Sequence, residues 1–269
     1  MTTSRANSYT GFIGVFDSGV GGLSVLRAIR QQLPHEDLLY IADSAYAPYG
    51  DLAAGQIRAR SELIADYLVS HGVNAVVVAC NTATAHAVEH LRGLFSLPII
   101  AIEPALKPAV QCSINGAIGL LATSATLASS RYADLLARYG KCARVIAQAC
   151  PGLVEQIERG DWQSEAVREL LRGYLAPLLA AGVDQIVLGC THYPFVQPLI
   201  AELVGPEIEI LETGAAVAVE LQRRLAALGQ LKTAGQGELR FMTSGTPEKV
   251  GPIINKLWQD DVMLQQLDM

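Results

Sequence analysis

Two cysteines lie at matching points of a repeated segment, and a pair of thiols could exchange protons with one bound molecule. Residues 71–82 align without a gap on residues 181–192, which places Cys80 opposite Cys190, 110 positions later. In each copy a short apolar run ends at the cysteine and polar residues follow. Ligands of open α/β sheets bind just past the carboxyl ends of strands. We therefore expect the two thiols to face one site from opposite sides.

The residues around each cysteine predict a thiol that can ionise. Cys80-Asn81-Thr82 and Cys190-Thr191-His192 both fall at the expected start of a helix. A helix N-terminus lowers the pKa of a cysteine from about 8.5 toward neutrality. His192 could act as an acid or base on its thiol, and Asp17 ends a strand that could neighbour Cys80. The alternatives are small buried cysteines, a structural histidine and an aspartate that caps a helix.

A glycine-rich segment between a strand and a helix is a third candidate, Asp17-Ser18-Gly19-Val20-Gly21-Gly22. Glycines there let backbone N–H groups approach a ligand, and the helix N-terminus favours an anion. A nucleotide loop is disfavoured, because neither G-x-G-x-x-G nor Gly-Lys-Ser/Thr is present. A tight structural turn is the other interpretation.

Two arrangements that could bind a metal are both disfavoured. Cys80, Cys190 and His192 could form a Cys₂His zinc site, but structural zinc sites have much shorter ligand spacing. The segment from His86 to His90 matches the H-x-x-E-H string of inverted zinc peptidases, yet its amphipathic helical pattern predicts solvated side chains. No metal site is expected. The remaining cysteines are expected to be structural; they are Cys112, Cys142 and Cys150.

The elements that carry these residues predict an α/β protein made of two similar halves. Apolar runs alternate with segments of helical period, which is typical of parallel sheets with crossover helices. Residues 13–18 resemble 118–124, and 102–103 resemble 211–212, so the period near 110 residues indicates duplicated domains. We expect two pseudo-symmetric, doubly wound parallel-sheet domains with the active site at their interface. Strands are expected near 12–17, 38–43, 75–80, 99–102, 117–122, 143–148, 185–189, 208–211 and 238–242.

The first domain is expected to be discontinuous. A boundary falls near Pro104 to Pro108, where two prolines follow a strand, and the last strand and the helix after Thr246-Pro247 follow the second copy. The predicted first domain spans 1–104 plus 214–269 and carries Asp17 and Cys80. The second spans 105–213 and carries Cys190 and His192.

Composition excludes several classes of protein. With 269 residues, 51% hydrophobic and 17% charged, the chain can bury substantial cores. A net charge of −6 without a basic cluster argues against binding to nucleic acid or an anionic membrane surface. No apolar stretch approaches the roughly 18 residues of a membrane span, and residues 1–11 are polar and expected to fray. Five cysteines without a C-x-x-C pair favour reduced thiols and hence a cytoplasmic protein.

Together these motifs resemble the glutamate-specific branch of the aspartate/glutamate racemase superfamily. The resemblance implies a cofactor-independent isomerase that interconverts L- and D-glutamate and supplies D-glutamate for peptidoglycan and the cell wall. The matching segments run in the expected order from residue 13 to about 213; they are Asp17 to Gly22, Asp43-Ser44, Pro48-Tyr49-Gly50, Cys80 to Ala83, Thr123 to Thr126 and Gly189 to Pro194.

The resemblance also implies a role for each catalytic residue. Cys80 would take the α-proton from D-glutamate with the support of Asp17, and Cys190 would take it from L-glutamate with the support of His192. No metal or pyridoxal phosphate would take part.

A further glutamate of the family, which hydrogen-bonds the catalytic histidine, maps to residues 150–158. The spacing from Pro151 favours Glu158, and Glu155, one helical turn away, stays open.

The substrate-binding set implied by the resemblance contains neither Lys nor Arg. Hydroxyls, an amide and backbone N–H groups would have to satisfy the substrate carboxylates in a closed, partly dry site. Tyr49 and Gly50 would meet the side-chain carboxylate, within a loop that also includes Asp43, Ser44 and Pro48. The amino and α-carboxylate groups would contact Ser18, Asn81, Thr82, Thr123, Thr126 and Thr191.

Several alternatives stay open. Aspartate or hydantoin racemases and a one-cysteine decarboxylase are related possibilities, although His192-Tyr193-Pro194 and Pro48-Tyr49-Gly50 favour glutamate by resemblance. A binding or sensor protein on the same duplicated fold would use its cysteines only for packing. The resemblance also leaves open a homodimer and activation by a peptidoglycan precursor.

Overall fold

Two parallel sheets form the framework of the molecule. The computed structural model describes residues 11–269, and the expectation of a frayed terminus falls almost wholly outside that range. The larger sheet has the order β10-β9-β2-β1-β3-β4 and the smaller one β6-β5-β7-β8. The strands in the described range are β1 (Phe12–Asp17), β2 (Asp37–Ala42), β3 (Ala75–Val78), β4 (Ile99–Ala101), β5 (Ala117–Ala122), β6 (Arg144–Ala149), β7 (Gln185–Leu188), β8 (Glu209–Leu211), β9 (Leu239–Thr243) and β10 (Leu264–Gln266).

Helices connect the strands of both sheets. Short 3₁₀ turns cover Ser44–Tyr46, Tyr49–Asp51 and Tyr193–Val196. The α-helices are α1 (Leu23–Gln32), α2 (Ala54–Ser70), α3 (Asn81–Leu94), α4 (Leu106–Cys112), α5 (Ser124–Leu127), α6 (Ser130–Tyr139), α7 (Leu153–Glu158), α8 (Glu165–Ala180), α9 (Gln197–Val204), α10 (Gly214–Ala227) and α11 (Pro247–Trp258). No helix in this part of the chain is long and apolar enough to cross a membrane.

The sheets repeat one another, as the duplication predicts. The run β2-β1-β3-β4 has the same order as β6-β5-β7-β8, so β3 of one half corresponds to β7 of the other. Every described strand pairing is parallel. The expected fold class, two pseudo-symmetric parallel-sheet halves, is confirmed.

The central strands are apolar because helices cover both of their faces. β1, β3, β5 and β7 are buried at every residue. The edge strand β6 contains the polar residues Arg144 and Gln148 and is only partly covered. Runs without alternation thus mark strands in the interior of a parallel sheet.

One hydrophobic cluster joins the two halves. It includes Val15 and Leu26 from the first half, and Leu153 and Leu171 from the second. These four side chains are at most 1% exposed. The halves therefore share a core rather than meeting through a polar interface.

Three local features differ from the sequence expectations. β10 was not predicted, because three residues that pair only with β9 leave too short a pattern. The helix expected over 124–139 is divided into α5 and α6, since the side chain of Ser129 caps the Tyr132 N–H and starts a new helix. The boundary region near Pro104 to Pro108 contains the start of α4.

The last two strands return to the first sheet. β9 pairs with β2, and β10 pairs with β9. This pairing supports the proposal that residues up to 104 plus 214–269 fold as one domain and residues 105–213 as the other.

Candidate active site

The two cysteines occupy equivalent places in the two halves. Cys80 follows the end of β3 by two residues, and Cys190 follows the end of β7 by two. Both are buried, with exposures of 4% and 7%. Their sulfurs are near enough for the charge of one to disfavour a charge on the other. Two buried thiols from opposite halves thus lie near one another.

Cys80 is a helix N-cap, but burial decides its ionisation. Its Sγ accepts a hydrogen bond from the Ala83 N–H at 3.4 Å and lies 3.6 Å from Ser18 Oγ. The pKa of Cys80 is raised well above its ordinary value, chiefly by burial and next by the charge of Asp17. The expectation that the helix N-terminus would bring this pKa toward neutrality is wrong, because loss of water outweighs the helix N–H group.

Cys190 does not begin an α-helix, contrary to expectation. The 3₁₀ turn Tyr193–Val196 follows it, and α9 starts only afterwards. Its neighbour is His192, whose Nδ1 lies 3.7 Å from Cys190 Sγ. The adjacent imidazole, rather than a helix terminus, is the group that can stabilise a negative charge on this sulfur.

His192 is held between Cys190 and Glu158. Its Nε2 lies 2.6 Å from Glu158 Oε1, and the ring is 2% exposed. Burial lowers the pKa of His192, but the hydrogen bonds with Cys190 and Glu158 outweigh it and raise the pKa well above the usual value. In the cationic form both ring nitrogens donate, one to the sulfur and one to the carboxylate.

Of the two glutamates left open by the sequence, Glu158 is the partner of His192. The same Oε1 accepts the Val20 N–H at 2.7 Å, which ties α7 of the second half to the glycine loop of the first.

The glycine loop receives side chains from the opposite half. A Cβ on Gly19 would lie 2.0 Å from Glu158 Oε1, and a Cβ on Gly21 would lie 2.3 Å from His192 Nδ1. Any side chain at these positions would displace the histidine and glutamate. We expected these glycines to admit a ligand. The structure explains them instead by the close approach of the His192–Glu158 pair.

Asp17 interacts with both halves. Its Oδ2 accepts the Gly22 N–H at 2.6 Å and the Thr191 hydroxyl at 3.3 Å, and its Oδ1 accepts the Ser18 hydroxyl at 3.4 Å. Burial raises the pKa of Asp17, an effect that the nearby His192 opposes. A single carboxylate therefore connects the surroundings of Cys80 with the loop that carries Cys190.

Polar groups beside the thiols are available for a ligand. Neither amide atom of the buried Asn81 has a hydrogen-bond partner among the described residues. Thr82 Oγ1 lies 3.0 Å from Thr123 Oγ1 and 3.3 Å from Thr126 Oγ1, across the interface between the halves. An unpaired buried amide is costly. These groups could instead satisfy a carboxylate or an amino group.

Asp43 is engaged by other protein groups. Arg60 donates to both of its oxygens, at 2.7 and 3.0 Å, and the Tyr49 hydroxyl donates at 2.6 Å. Ser244 Oγ donates to Oδ1 at 2.6 Å. The carboxylate thus fixes Tyr49 in its loop, and direct contact between Asp43 and a ligand is not needed to explain its burial.

The rest of that loop faces the second half. The Ala47–Pro48 peptide is cis, and Gly50 approaches the Thr123 side chain, since a Cβ there would lie 3.5 Å from Thr123 Cβ. The hydroxyl of Ser44 is buried without a partner among the described residues.

The residues considered for a metal form no ion-binding cluster in the described part of the chain. No group of three or more His, Cys, Asp or Glu there could hold an ion. His86 Nε2 contacts the Ala125 carbonyl oxygen at 3.2 Å, and His90 Nε2 contacts Glu62 at 2.6 Å. Of the other cysteines, Cys112 and Cys142 are exposed and Cys150 is buried.

Three residues of this region were not found from the sequence: Tyr40, Arg60 and Ser244. Tyr40 lies in an apolar strand, where a phenol is ordinary, and Arg60 looks like a surface residue of α2. The one available signal for Tyr40 was its hydroxyl within a run expected to be buried on both faces.

Comparisons with known proteins agree on one family. The profile of "Asp/Glu/Hydantoin racemase" matches residues 13–221. A curated glutamate racemase of Stutzerimonas stutzeri is 50% identical over 94% of this chain and 96% of its own.

Solved structures agree with that match. The crystal structure of a Bacillus anthracis glutamate racemase superposes with a TM-score of 0.89 at 30% identity, over 97% of this chain and 98% of that one. The Escherichia coli glutamate racemase, solved with L-glutamate and the activator UDP-MurNAc-ala, gives 0.82 at 30% identity, over 96% and 98%.

Proposed function

The chain belongs to the Asp/Glu/hydantoin racemase family, among its glutamate racemases, and from this premise we propose that it interconverts L-glutamate and D-glutamate by two-base proton transfer between Cys80 and Cys190. No cofactor takes part in this proposal. One observation carries it: two buried sulfurs follow equivalent strands of the two halves, near enough for the charge of one to disfavour a charge on the other. Substrate and product are mirror images at the α-carbon, so the reaction needs a proton acceptor and a donor on opposite faces.

In the direction from L-glutamate, the Cys190 thiolate takes the α-proton. The electron pair of the C–H bond moves onto the α-carbon and its carboxylate. The Cys80 thiol then gives its proton to the opposite face, which yields D-glutamate, a Cys190 thiol and a Cys80 thiolate. The reverse reaction exchanges the two roles.

Each sulfur has its own supporting group in this scheme. The imidazolium of His192, 3.7 Å from Cys190, stabilises a thiolate there, and Glu158 keeps the ring charged and oriented. At Cys80 the Asp17 carboxylate and the Ser18 hydroxyl form the corresponding group. Asp17 accepts the proton of the Cys80 thiol when the reaction needs a thiolate there, and returns it when the reaction needs a thiol.

Substrate recognition is proposed to rely on neutral donors. The unpartnered amide of Asn81 and the hydroxyls of Thr82, Thr123 and Thr126 suit the α-amino and α-carboxylate groups. Ser18 and Thr191 complete this set. Tyr49 and Gly50, with Ser44 and Pro48 in the same loop, suit the side-chain carboxylate, and Asp43 supports that loop.

A biosynthetic role follows from the product. We propose that the enzyme supplies D-glutamate for peptidoglycan. Both sulfurs must stay reduced, which favours a reducing, cytoplasmic compartment.

Activation by a peptidoglycan precursor is a second candidate property, favoured by the similarity to the Escherichia coli enzyme solved with UDP-MurNAc-ala. Titration of the activity with that nucleotide tests it. An unchanged kcat/KM at saturating nucleotide would contradict it.

The proposed reaction is tested with purified protein in D₂O. We expect both enantiomers of glutamate to gain α-deuterium and to interconvert, and aspartate to do neither. Deuteration of aspartate but not of glutamate would reject the substrate.

The cysteine roles are tested with Cys80→Ser and Cys190→Ser. Both variants should lose racemisation in both directions, because each direction needs both sulfurs. Any residual α-proton exchange should favour L-glutamate in Cys80→Ser and D-glutamate in Cys190→Ser. Full activity in both variants would favour a packing role for the cysteines.

A further inference from the structure

A buried tyrosine on β2 contacts the peptide group that holds Glu158. The Tyr40 hydroxyl donates to the Gly19 carbonyl oxygen at 2.6 Å, and the side chain is fully buried. The Val20 N–H donates to Glu158 Oε1 at 2.7 Å. The Gly19 carbonyl and the Val20 N–H belong to one planar peptide unit, so fixing the oxygen also fixes the direction of the N–H. We propose that Tyr40 is a positioning residue for proton transfer at Cys190.

The contacts from this peptide lead to one sulfur. Glu158 Oε1, which accepts the Val20 N–H, also bonds His192 Nε2 at 2.6 Å, and His192 Nδ1 lies 3.7 Å from Cys190 Sγ. The Glu158 side chain is 15% exposed, so water competes for its oxygens. The Val20 N–H therefore keeps Oε1 directed at the histidine.

The hydroxyl and the ring of Tyr40 have separable effects. A hydrogen bond accepted by a carbonyl polarises its peptide and strengthens the N–H as a donor. Both parts of the side chain lie beside Gly22, where a Cβ would be 2.9 Å from the hydroxyl oxygen and 3.1 Å from a ring carbon. Removing only the hydroxyl should loosen the Gly19–Val20 peptide and leave the packing of the ring in place.

The effect should fall on one side of the reaction. The Tyr40 hydroxyl also lies beside the Gly22 N–H, but that N–H belongs to a different peptide unit and has the Asp17 carboxylate as its acceptor at 2.6 Å, a bond that does not depend on the hydroxyl. Loss of the Tyr40 hydroxyl should thus raise the barrier at Cys190 more than the barrier at Cys80.

The test rests on the proposed racemase function and uses isotope effects, because L- and D-glutamate have equal free energy in water. Their kcat/KM values must therefore fall by the same factor in any variant. Deuterium at the α-carbon slows only the step that removes it, so the isotope effect with L-glutamate reports on Cys190 and that with D-glutamate reports on Cys80. In Tyr40→Phe we expect kcat/KM to fall roughly fivefold, the effect of one hydrogen bond. The isotope effect should rise with α-deuterated L-glutamate and decrease with α-deuterated D-glutamate.

Unchanged isotope effects, or equal changes with both enantiomers, would overturn the inference even if Tyr40→Phe were less active. A wild-type protein that racemises neither enantiomer would instead overturn the proposed function on which it rests. Tyr67→Phe is the matched control, since this hydroxyl faces Met242 Sδ, and both isotope effects should stay at wild-type values.

Two further variants test the inference independently of the single change Tyr40→Phe. In Glu158→Gln, the added change Tyr40→Phe should have no further effect if the tyrosine acts through Glu158; additive losses would contradict this. Replacement of Tyr40 by 3-fluorotyrosine keeps the hydroxyl and makes it a stronger donor. The isotope effect with L-glutamate should then decrease, and no change there would overturn the inference even if Tyr40→Phe does not fold.

Discussion

At the scale of single residues, the two sulfurs have chemically different neighbours. Burial and the Asp17 charge raise the pKa of Cys80 and favour its thiol form. The raised pKa of His192 favours an imidazolium beside Cys190. Under the proposed mechanism, this difference suits Cys80 to donate a proton and places a cationic ring beside the sulfur that accepts one from L-glutamate.

Asp17→Asn should change the pH profile of the reaction. The active form needs a protonated thiol, so the alkaline limb of kcat/KM reports loss of that proton. The Asp17 charge raises the pKa of Cys80, so its removal should lower this pKa and move the alkaline limb to lower pH. Racemisation measured between pH 6 and 11 checks this, and a limb that stays in place or moves upward would contradict it.

Glu158→Gln should lower kcat by roughly 10- to 100-fold, because His192 loses a charged hydrogen-bond partner in a buried place. The same loss lowers the pKa of His192, so its ring should titrate at lower pH in NMR spectra. Glu155→Gln, on the same helix but without that bond, is the control and should stay within about twofold of wild type. Equal losses in the two variants would assign the effect to α7 as a whole.

At the scale of elements, the loop between β1 and α1 contacts the other half closely. Gly19 and Gly21 lie where side chains of α7 and of the turn after β7 come closest. The glycine pattern was visible in the sequence, yet it pointed equally to a ligand loop and to a turn. The partners of Gly19 and Gly21 lie more than 130 positions away along the chain, and no local pattern identifies them.

Gly21→Ala should abolish most of the activity, since the new methyl group would meet the His192 ring. We expect a loss of at least roughly 100-fold in kcat/KM, comparable to misplacing a catalytic group by about 1 Å. Gly173→Ala is the matched control, because nothing lies within 4 Å of a Cβ there. It should keep full activity and gain about 0.5 to 1 kcal/mol in unfolding free energy from helix propensity. An active Gly21→Ala variant would contradict the structural role of this glycine.

The sequence predicted repeated elements more readily than contacts between distant residues. The strands that precede Cys80 and Cys190 were found because the same pattern occurs twice. The ionisation of Cys80 was predicted in the wrong direction, because the depth of burial depends on both halves together. Tyr40 and Arg60 were missed because their partners, Gly19 and Asp43, lie on other elements.

At the scale of the whole molecule, the shared hydrophobic cluster makes the two sheets depend on each other. Val15 and Leu26 of the first half belong to the same cluster as Leu153 and Leu171 of the second. Separating the halves would expose apolar surface on both sides.

Unfolding should therefore be a single transition. Leu171→Ala, a change wholly within the second half, should lower the free energy of unfolding by about 2 to 5 kcal/mol. On heating, unfolding measured by calorimetry and loss of activity should share one midpoint temperature in the wild type and one lower midpoint temperature in the variant. Two separated transitions, or a shift of only part of the signal, would contradict a common core.

The hydrogen bonds between the glycine loop and the opposite half also constrain how such a gene can change. Val20 serves Glu158, and Thr191 serves Asp17, so each copy of the duplicated unit supplies a contact that the other cannot replace. Recombination that exchanged one copy for that of a distant relative would separate both pairs at once. We therefore expect the two copies to be exchangeable only together.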